Sequence, residues 1–136
     1  MMLNKEEIFE ILATWNYWDK PLPPTVARPR YEKEIARKAR TGEILILKGV
    51  RRSGKSTLLL NEIKRIIAEG HDISSILYVN FEDPRLLGHL TVELMELIKE
   101  TYLEFMTPKE KPFFFFDEVQ NLTGWEKWIL KEYATR

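Results

Sequence analysis

The chain has no cysteine, no net charge and no long apolar run, and each absence removes a class of protein. Without thiols there are no disulfides and no thiolate metal sites. Twenty-one basic residues balance 21 acidic ones, so no bulk field directs the chain toward nucleic acid or an anionic membrane, and nucleic acid is not indicated as a partner. The longest apolar stretches fall far short of the roughly 20 residues a membrane span requires. The first residues, with Lys5 followed by Glu6 and Glu7, do not read as a secretory signal. No membrane partner is expected, and the cytoplasm is the default compartment. What is present is 136 residues with 44% hydrophobic content, enough for one domain with a buried core. The two histidines, His71 and His89, are isolated and read as surface or turn residues rather than ligands.

Against that plain background, residues 49–57 read Gly-Val-Arg-Arg-Ser-Gly-Lys-Ser-Thr and match the pattern G-x-x-x-x-G-K-[S/T] at every fixed position. The spacing follows from chemistry. Glycine leaves room for backbone N–H groups to close on a phosphate, the lysine brings a point charge to the β and γ oxygens, and the next hydroxyl faces Mg²⁺. Gly49, Val50, Arg51, Arg52, Ser53, Gly54, Lys55, Ser56 and Thr57 are therefore the candidate nucleotide-binding residues. Arg51 and Arg52 fill variable positions and either contact the γ-phosphate or a partner, or are solvated. Residues 43–48 form a short apolar run that predicts a strand buried on both faces of a parallel sheet. After the loop, Leu58, Leu59, Ile63, Ile66 and Ile67 keep helical spacing, and Gly70 is placed to stop the helix. The phosphates would then sit at a helix N-terminus, where unpaired amides and the positive dipole end add to the lysine.

Residues 112–118 read Pro-Phe-Phe-Phe-Phe-Asp-Glu. A buried aromatic strand would carry its C-terminal carboxylates beside the loop, with Asp117 on Mg²⁺ opposite Ser56 and Glu118 activating the attacking water. Alone, acids after an apolar strand are usually a solvated strand end. The upstream loop is what gives these two a role, and together the motifs imply a nucleoside triphosphate with Mg²⁺, ATP being the expected ligand although the motifs leave the choice between ATP and GTP open.

The Asp-Glu pair resembles the Walker B strand of P-loop ATPases with an additional catalytic glutamate, the class containing AAA+ and RecA-like proteins. Three stretches, I-L-K-G-V-R-R-S-G-K-S-T-L-L (46–59), L-Y-V-N-F-E-D-P-R-L (77–86) and F-F-F-D-E-V-Q-N-L-T-G-W-E-K (114–127), are similar to bacterial and archaeal predicted AAA+-type ATPases, mostly of unassigned role. The resemblance runs from about residue 28 to the C-terminus. It implies that Lys55 binds phosphate, Ser56 and Asp117 handle Mg²⁺, Glu118 is the catalytic base and Thr57 touches the α-phosphate. Asn80 stands where many AAA+ proteins keep a polar residue that restrains the catalytic glutamate; the other reading is that it closes a strand into the Glu82-Asp83-Pro84 turn.

The rest of the chain is punctuated consistently. Asn4-Lys5-Glu6-Glu7 resembles a capping box, with Ile8, Ile11, Leu12 and Trp15 on one helical face behind it. Residues 21–29 read as a proline-rich linker, so residues 1–27 form an N-terminal helical segment and 28–136 the start of the ATPase domain. Trp15, Tyr17 and Trp18 either stack on bases or a partner, or dock against the domain. The basic run at 28–40 either touches nucleotide or DNA or, diluted by Glu32 and Glu34, is a solvated helix face over 31–40, and the second reading is favoured. A second strand is predicted at 75–81, then a helix at 91–106 with Leu94, Leu97, Ile98 and Phe105 inward. A capping box at 123–126 opens a last helix with Trp125, Trp128 and Ile129 on one side. Alternating strands and helices argue for a parallel α/β sheet with right-handed crossovers.

By resemblance the core is a three-layer sheet of five strands, ordered five, one, four, three, two, of which this sequence supplies three. The chain therefore reads as an N-terminal fragment, lacking the fourth strand that would lie between the loop-bearing strand and the Asp-Glu strand. Leaving that gap open would expose two unpaired strand edges. Three outcomes would close it: a dimer sharing a sheet, a rearranged strand order, or a partly mobile C-terminal region. The leading function is an ATPase acting on a partner or on an absent C-terminal domain. The alternatives are a nucleotide-gated binding module without turnover and a P-loop small-molecule kinase.

Overall fold

In the computed structural model, residues 3–24, 42–49 and 54–135 are described. The basic run at 28–40 and its expected helix, and loop residues Val50, Arg51, Arg52 and Ser53, lie outside them.

The first helix, α1 (Lys5–Trp15), starts where the sequence signals it. The Asn4 side chain accepts the Glu7 N–H at 2.8 Å, and Glu7 reciprocates on the Asn4 N–H at 3.0 Å. This capping box satisfies two amides that would otherwise lack partners. Strand β1 (Ile44–Leu47) leads toward the loop, and α2 (Lys55–Ala68) leaves it. The end of α2 is a complete Schellman turn: Gly70, at φ 101°, donates to Ile67 and His71 donates to Ile66. Strand β2 (Ile76–Asn80), helix α3 (Val92–Met106), strand β3 (Phe113–Asp117) and helix α4 (Trp125–Thr135) complete the described elements. Helix α4 opens after Gly124, whose carbonyl accepts the Trp128 N–H at 3.2 Å, one residue beyond the threonine expected to cap it.

The three strands are all parallel, in the order β1-β3-β2. This differs from the expected gap. Strand β1 pairs directly with β3, Ile44 opposite Phe114 and Leu47 opposite Asp117, which corresponds to the rearranged order among the three outcomes. The physical reason is the unpaired edge: direct pairing satisfies backbone groups that an empty slot would leave open. A second difference follows. Among the described residues β1 is an edge strand, and only its Leu47 is buried; Ile44, Leu45 and Ile46 are half-buried rather than covered on both faces.

Strand parity explains the four-phenylalanine strand. Phe113 and Phe115 point to one side, packing with Ile76, Tyr78 and the Leu59, Ile63 and Ile66 face of α2. Phe114 and Phe116 point to the other, into a cluster from α1, α3 and α4 that includes Leu12, Ile98 and Trp128. The result is the three-layer α/β arrangement of a partial P-loop NTPase core, with α1 in the same core as the sheet. Phe105 is 40% exposed and stacks on Phe9 of α1 at 4.7 Å instead of entering the core; Tyr102 takes the inward place.

Candidate functional site

Register brings the candidate residues together. Leu47, Asp117 and Asn80 lie abreast at the C-terminal ends of the three strands, and β1 and β3 deliver their following residues to the N-terminus of α2. Gly49 at φ 120° and Gly54 at φ 87° bracket the loop in conformations that L side chains rarely adopt. Gly54 occupies the cap position of α2, so no side chain covers the first-turn amides.

Lys55 is the hub. Its side chain is only 8% exposed, and its ammonium lies 2.7 Å from Asp117 Oδ1 and 3.1 Å from Glu118 Oε1. Burial works against the charged form, but the hydrogen bonds and charges of both carboxylates outweigh it and hold the lysine above its ordinary value. Asp117 shares the α2 side of the sheet with Tyr78, whose hydroxyl donates to Asp117 Oδ2 at 2.5 Å. Burial, then the bond and charge of Asp117, push the Tyr78 phenol up, so it stays a donor.

Glu118 sits at φ 58°, a left-handed conformation that costs a non-glycine residue about 1–3 kcal/mol and is found where surroundings over-determine it. Its N–H donates to the Leu47 carbonyl at 3.0 Å. The carboxylate accepts from the Gln120 amide and from Lys55. The Gln120 bond is the main reason it lies below the usual glutamate range; burial opposes this, and Lys55 and Gly49 reinforce it. Just upstream, the Lys48 ammonium stands over the Trp125 ring at 5.4 Å.

The remaining sequence candidates separate. Ser56 lies exposed in the first turn of α2 and Thr57 is half-buried beside it. Asn80 accepts the Glu82 N–H at 2.9 Å and closes its strand into the turn; the amide that reaches Glu118 comes from Gln120 instead. Trp15 and Trp18 dock on the domain, Trp15 donating to Asp83 and Trp18 to the Ile76 carbonyl. His71 pairs with Glu110 at 2.8 Å. Among the described residues no cluster of three histidines or acids is placed to cage a metal, and no helix is long and apolar enough to cross a membrane.

Tyr78 and Gln120 carried no signal of their own in the sequence. Parity alone puts residues 76, 78 and 80 on one face, but whether that face matches Asp117 depends on a register that the sequence does not state.

Sheet, loop glycines and buried lysine define a P-loop NTPase core of the α/β class. A family model described as an AAA domain matches residues 41–136, and the chain belongs to that family. It is 33% identical to an uncharacterized protein of Methanocaldococcus jannaschii over 71% of this chain and 22% of that one. It is 32% identical to an uncharacterized protein of Haemophilus influenzae over 75% of this chain and 25% of that one. The chain thus spans about a quarter of the length of the curated relatives it matches. No solved structure matches it significantly.

Proposed function

We propose that this chain binds Mg-ATP through residues 49–57 and the start of α2, and that the whole protein hydrolyses it to rearrange a partner or its own further domains. The observation that carries this reading is the convergence of Lys55, Asp117 and Glu118 at one end of a parallel sheet, against a helix N-terminus. Phosphate oxygens there meet the first-turn amides of α2, which the Gly54 cap leaves without a side-chain partner. Lys55 exchanges its carboxylate partners for phosphate, which releases Asp117 Oδ1 and Glu118 Oε1.

The residues fit magnesium. Asp117 and Ser56 are hard oxygen donors, and Asp117 Oδ1 already faces a positive charge, the ammonium of Lys55. When bound, the ion neutralises charge on the β and γ oxygens. Glu118, positioned by Gln120, takes the proton of the attacking water.

One observation favours a second reading, a nucleotide-gated module without turnover. Lys55 and Gln120 between them leave the Glu118 carboxylate little freedom to serve a water. Calorimetry with Mg-ATP and phosphate release, on this chain and on the full-length protein, test both. Lys55→Ala should weaken binding at least about tenfold, the loss expected for one charge-assisted contact. Glu118→Gln should bind as wild type and release phosphate about 10²–10⁴-fold more slowly. No binding by folded wild type would overturn the reading, binding without release in either form would establish the sensor, and release unaffected by Glu118→Gln would remove Glu118 from the mechanism.

A further inference from the structure

We propose that Tyr78 is a positioning residue for Asp117: its phenol fixes Oδ2, so that Oδ1 is the oxygen presented to the cation. The inference rests on the Mg-ATP reading and names a residue that reading does not need. The two oxygens of Asp117 have partners of different kinds. Oδ1 faces the Lys55 ammonium at 2.7 Å, carried on a flexible four-carbon stem that can swing to phosphate. Oδ2 faces a phenol on the middle of β2, and that strand cannot yield. The Tyr78 N–H donates to Asn16 Oδ1 at 2.8 Å, its carbonyl accepts from Asn16 Nδ2 at 2.9 Å, and Trp15 packs edge-on against the ring at 6.5 Å.

When Lys55 departs, a carboxylate with no second partner would rotate about its Cβ–Cγ bond and lose its aim. The Tyr78 hydroxyl prevents this. Packing alone does not call for it, because the neighbouring positions on the same face, Phe113 and Phe115, fill their space without one.

The test is Tyr78→Phe in the full-length protein, read by nucleotide affinity with and without free Mg²⁺, beside Asp117→Asn. Tyr78→Phe should leave affinity in EDTA within about twofold and raise the Mg²⁺ concentration for half-maximal enhancement about tenfold, as expected for one hydrogen bond to a charged group. A Mg²⁺ dependence within twofold of wild type would overturn the proposal. If wild type binds no nucleotide, or Asp117→Asn responds to Mg²⁺ as wild type does, the Mg-ATP reading has failed and the proposal falls with it. A measurement on wild type does not depend on the variant folding. With tyrosine labelled at Cζ, the Tyr78 hydroxyl proton should stay protected from exchange after Mg-nucleotide is added. Exchange at the rate of an exposed tyrosine would overturn the assignment.

Discussion

At the scale of single residues, Lys55 serves stability as well as the ligand binding proposed for it. Asp117 is 7% exposed and depends on Lys55 for its counter-charge, so truncating the lysine strands a buried carboxylate. Lys55→Met should therefore lower the unfolding free energy by about 3 kcal/mol, the low end for breaking a buried pair. The double variant Lys55→Met, Asp117→Asn should recover most of that in urea titrations; equal losses in the two would show that the pair is not coupled. Asp83 gives a pH signature. It is 2% exposed, and the Arg85 guanidinium above all, then Trp15, hold its carboxyl down at about 2 against a burial effect in the other direction. A carboxyl depressed in the folded state stabilises above its unfolded value near 4, and that contribution disappears as pH falls toward about 2. Between pH 4 and pH 2 the wild type should lose about 2 kcal/mol more than Asp83→Asn, measured by chemical denaturation at each pH. Parallel acid limbs would contradict the assignment.

At the scale of elements, the sheet has two edges and they are treated differently. The outer edge of β2 is sealed by the segment after α1: Asn16 pairs with both backbone groups of Tyr78, and Trp18 donates to the Ile76 carbonyl. A buried amide here imitates a neighbouring strand. Asn16→Ala leaves two buried backbone groups unpaired and should cost about 2–3 kcal/mol in denaturant, with concentration-dependent light scattering as β2 becomes available to other chains. Normal stability and no scattering would show that water replaces the side chain. Strand β1 presents its other edge differently. Its ladder to β3 uses the Glu43 and Leu47 carbonyls, so alternation turns Ile44 and Ile46 outward, where Tyr133 meets both backbone groups of Ile44. Leu45→Pro should thus cost at least about 2 kcal/mol more than Ile46→Pro, since only the first removes a ladder donor. Comparable melting of the two would mean the alternation is inverted. The elements themselves were legible in the sequence because their signals are local: the Asn4 capping box, the Gly70 stop, and apolar runs bounded by turns. The edge seal was not, because Asn16 and Tyr78 are 62 positions apart and neither residue type announces the other.

At the scale of the whole molecule, the least legible feature was strand order, and the candidate site depends on it. The loop, Lys55 and the Asp-Glu pair could be named from spacing, yet which strands touch is decided by long-range edge pairing that no local pattern encodes. Direct pairing of β1 with β3 sets the Glu118 environment: its N–H reaches the Leu47 carbonyl, and its carboxylate reaches Lys55. Adjacent strands lie about 4.8 Å apart, and a strand placed between them would double that separation and break those bonds. Glu118 would then be freer to work on a water, while Lys55 could still bind phosphate. The 136-residue chain should accordingly bind Mg-ATP and turn it over at least about tenfold more slowly than the same chain extended by a strand that enters between β1 and β3, because positioning of the base contributes strongly to phosphoryl transfer. Two measurements check this together: phosphate release from both forms, and backbone nuclear Overhauser contacts between residues 44–47 and 114–117 in the labelled chain. Contacts with slow release would tie strand order to a restrained Glu118. Contacts with release as fast as in the extended form would show that the restraint on Glu118 does not govern turnover, and absence of the contacts would show that β1 and β3 are not neighbours in solution.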